Sequence, residues 1–133
     1  MKLVLDTNVV VSAFLNPPGK PSQVLKLVIN RNADLYYNTV ILTEYESVML
    51  RPKFSSKINP SLVSRFIDII RSIGTTFDPL PGGIKLQDAK DQIFYDTAKE
   101  SGSYLITGNL KHFPKHSFII SPAEFLLFRQ MHR

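Results

Sequence analysis

The sequence predicts an α/β fold with a mainly parallel central sheet that helices cover on both faces. Short apolar runs without polar alternation, typical of strands buried on both faces, alternate along the chain with segments of helical periodicity. The length of 133 residues fits a single domain over residues 1–133, large enough to bury a core without cross-links. In such a fold we expect the ligand site beyond the carboxyl ends of the strands.

The first predicted strand covers residues 2–5, an apolar run that stops abruptly at Asp6. Pro21 suits the first turn of a helix, and the apolar residues after it keep helical spacing to about residues 30–32. A second strand is predicted over residues 35–37. The chain therefore begins with a strand, a helix and a second strand.

Two helices follow the second strand. Asn38 can cap a helix over residues 39–51, which Pro52 stops. Asn59 can cap the next helix, whose apolar residues recur at helical spacing over residues 60–73. Gly74 is typical of the end of such a helix.

The last third of the chain repeats the alternation of strands and helices. Strands are predicted over residues 75–77, 104–107 and 118–120, and a helix over residues 91–102 lies between the first two. Ser121 opens a capping box, followed by proline at the first helical position. A final helix should therefore start there.

Composition narrows the class of protein. The absence of cysteine excludes disulfides, thiolate metal ligands and cysteine nucleophiles. No apolar run approaches a bilayer-spanning length, and no signal-like segment opens the chain, so we expect a soluble, cytoplasmic protein without membrane contact. The formal charge of +5 is a mild bias toward polyanionic partners.

Four polar residues are expected near the carboxyl edge of the sheet. Asp6 and Asn109 follow predicted strands, Asp91 opens a helix, and Glu44 is a polar residue among apolar neighbours. Each has an ordinary alternative as a cap, a turn residue or a solvated side chain. Together, clustered carboxylates need a cation, and oxygen ligands favour Mg²⁺ or Mn²⁺ over zinc. Such ions promote phosphodiester hydrolysis, which is the chemistry we infer.

Three segments carry a family resemblance: MKLVLDTNVVVSAFL at 1–15, TEYESVMLRPKF at 43–54 and DAKDQIFYDTAKESGSYLITGNLKHFP at 88–114. They resemble the PIN-domain ribonucleases, and most of all the VapC-like branch of toxins from type II toxin–antitoxin modules. The resemblance covers nearly the whole chain and implies a three-layer α/β/α fold. It also implies RNA as substrate, Mg²⁺ or Mn²⁺ as cofactor, an antitoxin that blocks the acidic cleft, and a homodimer.

The resemblance assigns roles to five residues. Asp6, Glu44 and Asp91 match the three catalytic, metal-binding acids. Asp88 belongs to the D-x-x-D form of this branch, so a metal ligand and a helix cap are both open. Asn8 matches the polar partner that orients the first acid.

Asn109 departs from the family pattern, because the family often has a fourth acid there. An amide oxygen can bind a hard ion but brings no charge, so Asn109 would be a weaker ligand, and one or two metal ions stay possible. Four cationic or imidazole side chains follow the site segments and are candidates for RNA contact: Arg51, Lys53, Lys111 and His112. Ordinary solvated surface charge is the alternative for all four.

The sequence thus predicts a metal-dependent endoribonuclease, with two rivals. The first is a PIN scaffold that is weakly active or inactive and binds RNA or protein. The second is a phosphatase with Asp6 as nucleophile, but that chemistry usually needs an aspartate two residues on, where Asn8 stands.

Overall fold

A computed structural model of the protein describes residues 1–80 and 83–132. Its central sheet has five parallel strands in the order β3-β2-β1-β4-β5. The strands are β1 Lys2–Leu5, β2 Asp34–Tyr37, β3 Thr75–Thr76, β4 Tyr104–Ile106 and β5 Ile119–Ile120. The predicted α/β class with a parallel sheet is therefore confirmed. In this strand order β1 is the central strand of the sheet.

In the described ranges, six helices cover the sheet and complete the three-layer α/β/α arrangement. They are α1 Thr7–Leu15, α2 Lys20–Ile29, α3 Thr39–Met49, α4 Pro60–Ile73, α5 Ala89–Ser101 and α6 Pro122–Met131. Short 3-10 turns cover Pro52–Phe54 and Leu110–His112. None of the helices in the described ranges is long and apolar enough to cross a bilayer.

The pairing of β1 with β4 positions the candidate site. Leu5 pairs with Ile106, and the backbone N–H of Asp6 donates to the Ile106 carbonyl at 2.9 Å. The residues that follow these two strands, Asp6 and Thr107, therefore leave the sheet side by side. Leu3, Val4 and Leu5 have no exposed surface, which explains why β1 lacks polar alternation.

The sequence analysis did not predict helix α1 and assigned neither a helix nor a strand to residues 7–15. The helix begins directly at Thr7, whose N–H donates to the Asp6 carboxylate at 2.8 Å. Val9, Val10 and Val11 are all buried, so the segment shows no amphipathic period, and β-branched residues further weaken the helical signal. The helix is stabilised by burial of its apolar side chains on several sides, which depends on the tertiary structure and not on the local sequence.

The other helices follow their sequence signals with small shifts. Asn38 and Asn59 cap α3 and α4, and Ser121 forms the predicted capping box with Glu124. Helix α5 begins at Ala89, earlier than the predicted residue 91, because the Asp88 carboxylate caps it. Asp91 consequently lies in the first turn of α5 and is not its cap.

Candidate active site

An acidic cleft of about 430 Å³ opens at the carboxyl edge of the sheet. The four residues expected to meet there, Asp6, Glu44, Asp91 and Asn109, all line it. Five further residues singled out in the sequence lie in the same lining: Asn8, Arg51, Lys53, Asp88 and His112. Lys111 lines a different surface depression, beside Phe113 and Lys115.

Asp6 is held by three hydrogen bonds at the junction of β1 and α1. Its Oδ1 accepts from the Thr7 N–H at 2.8 Å, and its Oδ2 accepts from Thr107 Oγ1 at 2.7 Å and from Asn8 Nδ2 at 3.2 Å. The side chain is buried, with 6% of the residue exposed. Asp6 thus serves as a helix cap and also presents a fixed carboxylate to the cleft.

Asn8 and Thr107 tie the ends of β1 and β4 together around that carboxylate. Asn8 Oδ1 accepts from the Gly108 N–H at 3.1 Å, while Thr107 Oγ1 accepts from the Asn109 N–H at 3.0 Å. The contact expected of Asn8 with Asp6 is therefore present. Thr107 takes an equivalent position on the other strand, and its hydroxyl donates one hydrogen bond and accepts another.

Glu44 reaches the cleft from the middle of α3, where its side chain is half-buried. Its neighbour Tyr45 is fully buried, and the Tyr45 hydroxyl donates to the Leu5 carbonyl at 2.6 Å. This bond ties α3 to the end of β1, one residue before Asp6. Burial, reinforced by the nearby Asp6 charge, raises the pKa of Tyr45, so this hydroxyl stays a donor.

Asp91 enters the cleft from the first turn of α5 with 13% of its side chain exposed. The Nδ1 atom of His112 lies 3.5 Å from Asp91 Oδ2, a distance that allows charge attraction but is long for a hydrogen bond. Among the described residues, Asp91 Oδ2 is a buried oxygen without a hydrogen-bond partner. Asp88 is more exposed, and its Oδ1 accepts from the Lys90 N–H at 2.9 Å.

Burial and neighbouring negative charges raise the pKa values of Asp6 and Asp91. Burial is the main reason why the pKa of Asp6 lies above its ordinary value, with the Glu44 charge adding to it and the bonds from Thr107 and Thr7 opposing it. Burial also raises the pKa of Asp91, reinforced by the charges of Asp6 and Asp88 and opposed by His112. The cleft therefore concentrates negative charge in a poorly solvated place, where a cation would relieve the repulsion.

The donor atoms of the cleft fit a hard divalent cation in type and charge. Asp6, Glu44 and Asp91 offer carboxylate oxygens, and Asp91 Oδ2 is a buried acceptor still without a donor in residues 1–80 and 83–132. Within those same ranges no three His, Asp or Glu side chains converge closely enough to hold an ion as they stand. The carboxylates line one cleft with oxygen-only chemistry, so they fit Mg²⁺ or Mn²⁺ better than zinc.

The structure adds lining residues that the sequence prediction did not place in the site, among them Thr7, Lys90, Phe54 and Val48. Thr7 Oγ1 is buried and has no hydrogen-bond partner in the described part of the chain. Lys90 shares the first turn of α5 with Asp91, and a lysine at such a position carries no sequence signal. In the sequence analysis Phe54 is the last residue of the family-like segment at 43–54, and no role was predicted for it.

Comparison with known proteins identifies the family of the chain. Residues 2–111 match the family model described as the PIN domain. An uncharacterized protein of Methanocaldococcus jannaschii is 30% identical over 110 residues, which are 82% of this chain and 71% of that protein.

Two solved structures share the fold. PAE2754 from Pyrobaculum aerophilum aligns with a TM-score of 0.62 at 16% identity, over 99% of this chain and 90% of the other. VapBC2 from Rickettsia felis was solved bound to a DNA fragment from its promoter. It aligns with a TM-score of 0.56 at 20% identity, over 84% of this chain and 90% of the other. At such identities the likeness concerns the fold, whereas the family model covers most of the chain, and this chain belongs to the PIN-domain family.

Proposed function

We propose that this protein is a Mg²⁺- or Mn²⁺-dependent endoribonuclease, the toxin component of a toxin–antitoxin module. One observation carries the nuclease proposal: acids from three separate elements, Asp6 after β1, Glu44 on α3 and Asp91 on α5, line a single cleft whose rim carries cationic side chains. PIN domains are typically nucleases, which agrees with this chemistry.

Asp6, Glu44 and Asp91 would hold the ion, and Asn109 would add an uncharged oxygen. When bound, the ion supplies activation of water and neutralisation of charge on the phosphate. Thr107 and Asn8 keep Oδ2 of Asp6 in one orientation, so that carboxylate needs little reorganisation. In-line attack of water on phosphorus, with cleavage of the bond to the 3′-oxygen, would give a 5′-phosphate and a 3′-hydroxyl.

The cationic rim would bind the phosphates of the RNA on either side of the reacting one. Arg51 and Lys53 are exposed, line the cleft, and form no ion pair among the described residues. Their charges are therefore available to phosphates, which supply most of the sequence-independent affinity for nucleic acid.

The test is cleavage of RNA by the purified chain with Mg²⁺, with Mn²⁺ and with a chelator. We expect cleavage only with metal, and none from Asp6→Asn. Cleavage that a chelator leaves unchanged, or that Asp6→Asn retains, would contradict the proposal. RNA binding without any cleavage would favour the alternative of an inactive binding scaffold, which the uncharged Asn109 makes worth testing.

The toxin role and an antitoxin partner are supported by the shared fold with VapBC2. The homodimer and the cytoplasmic site of action belong to the proposal on the family resemblance alone. Expression in a bacterial host should arrest growth, and Asp6→Asn should abolish the arrest. Co-expression of a small protein encoded beside this chain should restore growth to the wild-type strain. Growth arrest by Asp6→Asn equal to wild type would separate toxicity from nuclease activity.

A further inference from the structure

An aromatic ring lies at the rim of the acidic cleft. Phe54 belongs to the 3-10 turn Pro52–Phe54 and lines the cleft beside Arg51 and Lys53. The other ring in the lining, Phe94, is only 2% exposed, whereas Phe54 is partly exposed. Phe54 packs partly against the core, so the core side of the ring is held while another part faces the cleft.

The side-chain ammonium of Lys53 lies near this ring. Lys53 Nζ lies 5.0 Å from the centroid of the Phe54 ring, and in the described part of the chain Lys53 forms no ion pair. Lys53 is exposed, so a ligand can displace its ammonium from the ring. A nucleotide could put its base on the ring while the Lys53 ammonium moves to the adjoining phosphate, because the two residues are neighbours.

We propose that Phe54 is a base-stacking residue that positions the RNA, and that Lys53 and Arg51 hold the phosphates flanking the stacked nucleotide. The inference rests on the proposed nuclease function and adds a residue that determines substrate position. Stacking on an aromatic side chain accepts any base, because every base has a π-face, so Phe54 would strengthen binding with little sequence preference.

The chain contains no tryptophan, so Phe54→Trp introduces a single reporter at the proposed contact. The experiment uses the full chain carrying Asp6→Asn, which prevents cleavage, in the presence of Mg²⁺. Two probes of equal length are compared: a short oligoadenylate, and an abasic phosphodiester oligomer that offers phosphates without bases. We expect the oligoadenylate to quench the tryptophan fluorescence and the abasic oligomer to leave it nearly unchanged.

Phe118→Trp is the matched control, since Phe118 is also partly exposed but lines a groove away from the cleft. Its fluorescence should respond to neither probe. Equal responses of the two reporters to oligoadenylate, or equal quenching of Phe54→Trp by both probes, would overturn the proposal.

Affinity gives an independent measurement. Phe54→Leu keeps apolar packing but removes the ring, so binding of oligoadenylate should weaken about tenfold, while binding of the abasic oligomer stays the same. Phe54→Tyr should restore the affinity. If the wild type cleaves RNA, an unchanged affinity of Phe54→Leu for oligoadenylate would remove Phe54 from the site and leave the nuclease proposal standing. Absent cleavage by the wild type would reject the nuclease proposal, and the affinity of Phe54→Leu would still decide the stacking role.

Discussion

The acidic cleft and a second depression, here called the apolar groove, differ in both size and chemistry. The groove is about 690 Å³, larger than the cleft at about 430 Å³, and lies between α5 and α6 beside β4 and β5. Tyr104, Phe118 and Phe128 supply its rings, and Lys99 and Glu124 are the charged residues of its described lining. The described lining of the larger depression holds a single carboxylate, whereas four line the cleft, so the chemistry of the lining and not the volume supports the cleft as the candidate site.

The two depressions differ because of how the sheet delivers side chains. Strand β4 begins at Tyr104 in the groove and leads through Thr107 to Asn109 in the cleft. Parallel strands bring their carboxyl ends, and the polar residues that follow them, to one edge. The groove instead forms where α6 leaves apolar side chains uncovered, with Leu127 60% and Met131 72% exposed.

The largest expected effect separates the two regions by activity. Asp6→Asn, Glu44→Gln and Asp91→Asn should each lower RNA cleavage at least about a hundredfold, because each removes charge that would hold the cation. Leu127→Ser in the groove should leave cleavage unchanged, because its exposed side chain tolerates a polar group. If the cleavage rate of Leu127→Ser fell as far as the rates of the three acid variants, the functional difference between cleft and groove would be contradicted.

A smaller effect is expected from the groups that orient Asp6. Thr107→Val keeps the shape of the side chain but removes the hydroxyl that donates to Asp6 Oδ2, so metal affinity or cleavage should fall about 10- to 100-fold. Thr107→Ser retains the hydroxyl and serves as the control. Metal titrations that are identical for the valine and serine variants would show that the bond is without functional weight.

Asn109→Asp adds a charged oxygen to the cleft lining with little change of shape. It should lower the metal concentration needed for half-maximal cleavage, by about tenfold. Without metal it should reduce thermal stability through repulsion with Asp6 and Asp91. Asn32→Asp, an exposed change just before β2 at the opposite edge of the sheet, is the control. A metal titration of Asn109→Asp that overlays the wild type would remove Asn109 from the site.

The smallest expected effect is a pH dependence of the metal-free fold. The pKa values of Asp6 and Asp91 lie above the ordinary 3.8, so the folded state holds protons that the unfolded state has lost. Their contribution to stability is present below about pH 4 and is lost as pH rises through the raised values. The melting temperature in chelator should therefore decline as the pH rises from about 4 through the raised pKa values. In Asp91→Asn the total decline should be a few degrees smaller.

Asp6→Asn provides the contrast within the same pH experiment. All three groups that bond to the Asp6 carboxylate are donors, so an amide would place its own NH₂ against one of them. We expect Asp6→Asn to gain little stability at neutral pH, unlike Asp91→Asn. Addition of Mg²⁺ should raise the wild-type melting temperature and leave Asp6→Asn nearly unchanged. Parallel pH curves for wild type and Asp91→Asn would contradict the raised pKa of Asp91.

Local signals in the sequence were sufficient for most elements. Asn38, Asn59 and Ser121 cap the helices that they were expected to cap, because a cap is a bond between residues two or three apart. Helix α1 was missed because its stability comes from burial of Val9 and Val10, which no local pattern reveals. The start of α5 was placed late because either Asp88 or Asp91 could serve as the cap, and the geometry selects Asp88.

By itself, the sequence determined the parallel α/β class, the polar residues that follow β1 and β4, and the resemblance to the PIN family, since all three depend on residue type and order. Only the tertiary structure decided that Glu44 and Asp91 share a cleft with Asp6, that Thr107 rather than solvent bonds to Asp6, and that Lys53 but not Lys111 lines the cleft. These contacts join residues far apart in the chain. The pairing of β1 with β4 brings Asp6 to Thr107, and packing of the helices on the sheet brings Glu44 and Asp91 to the same cleft.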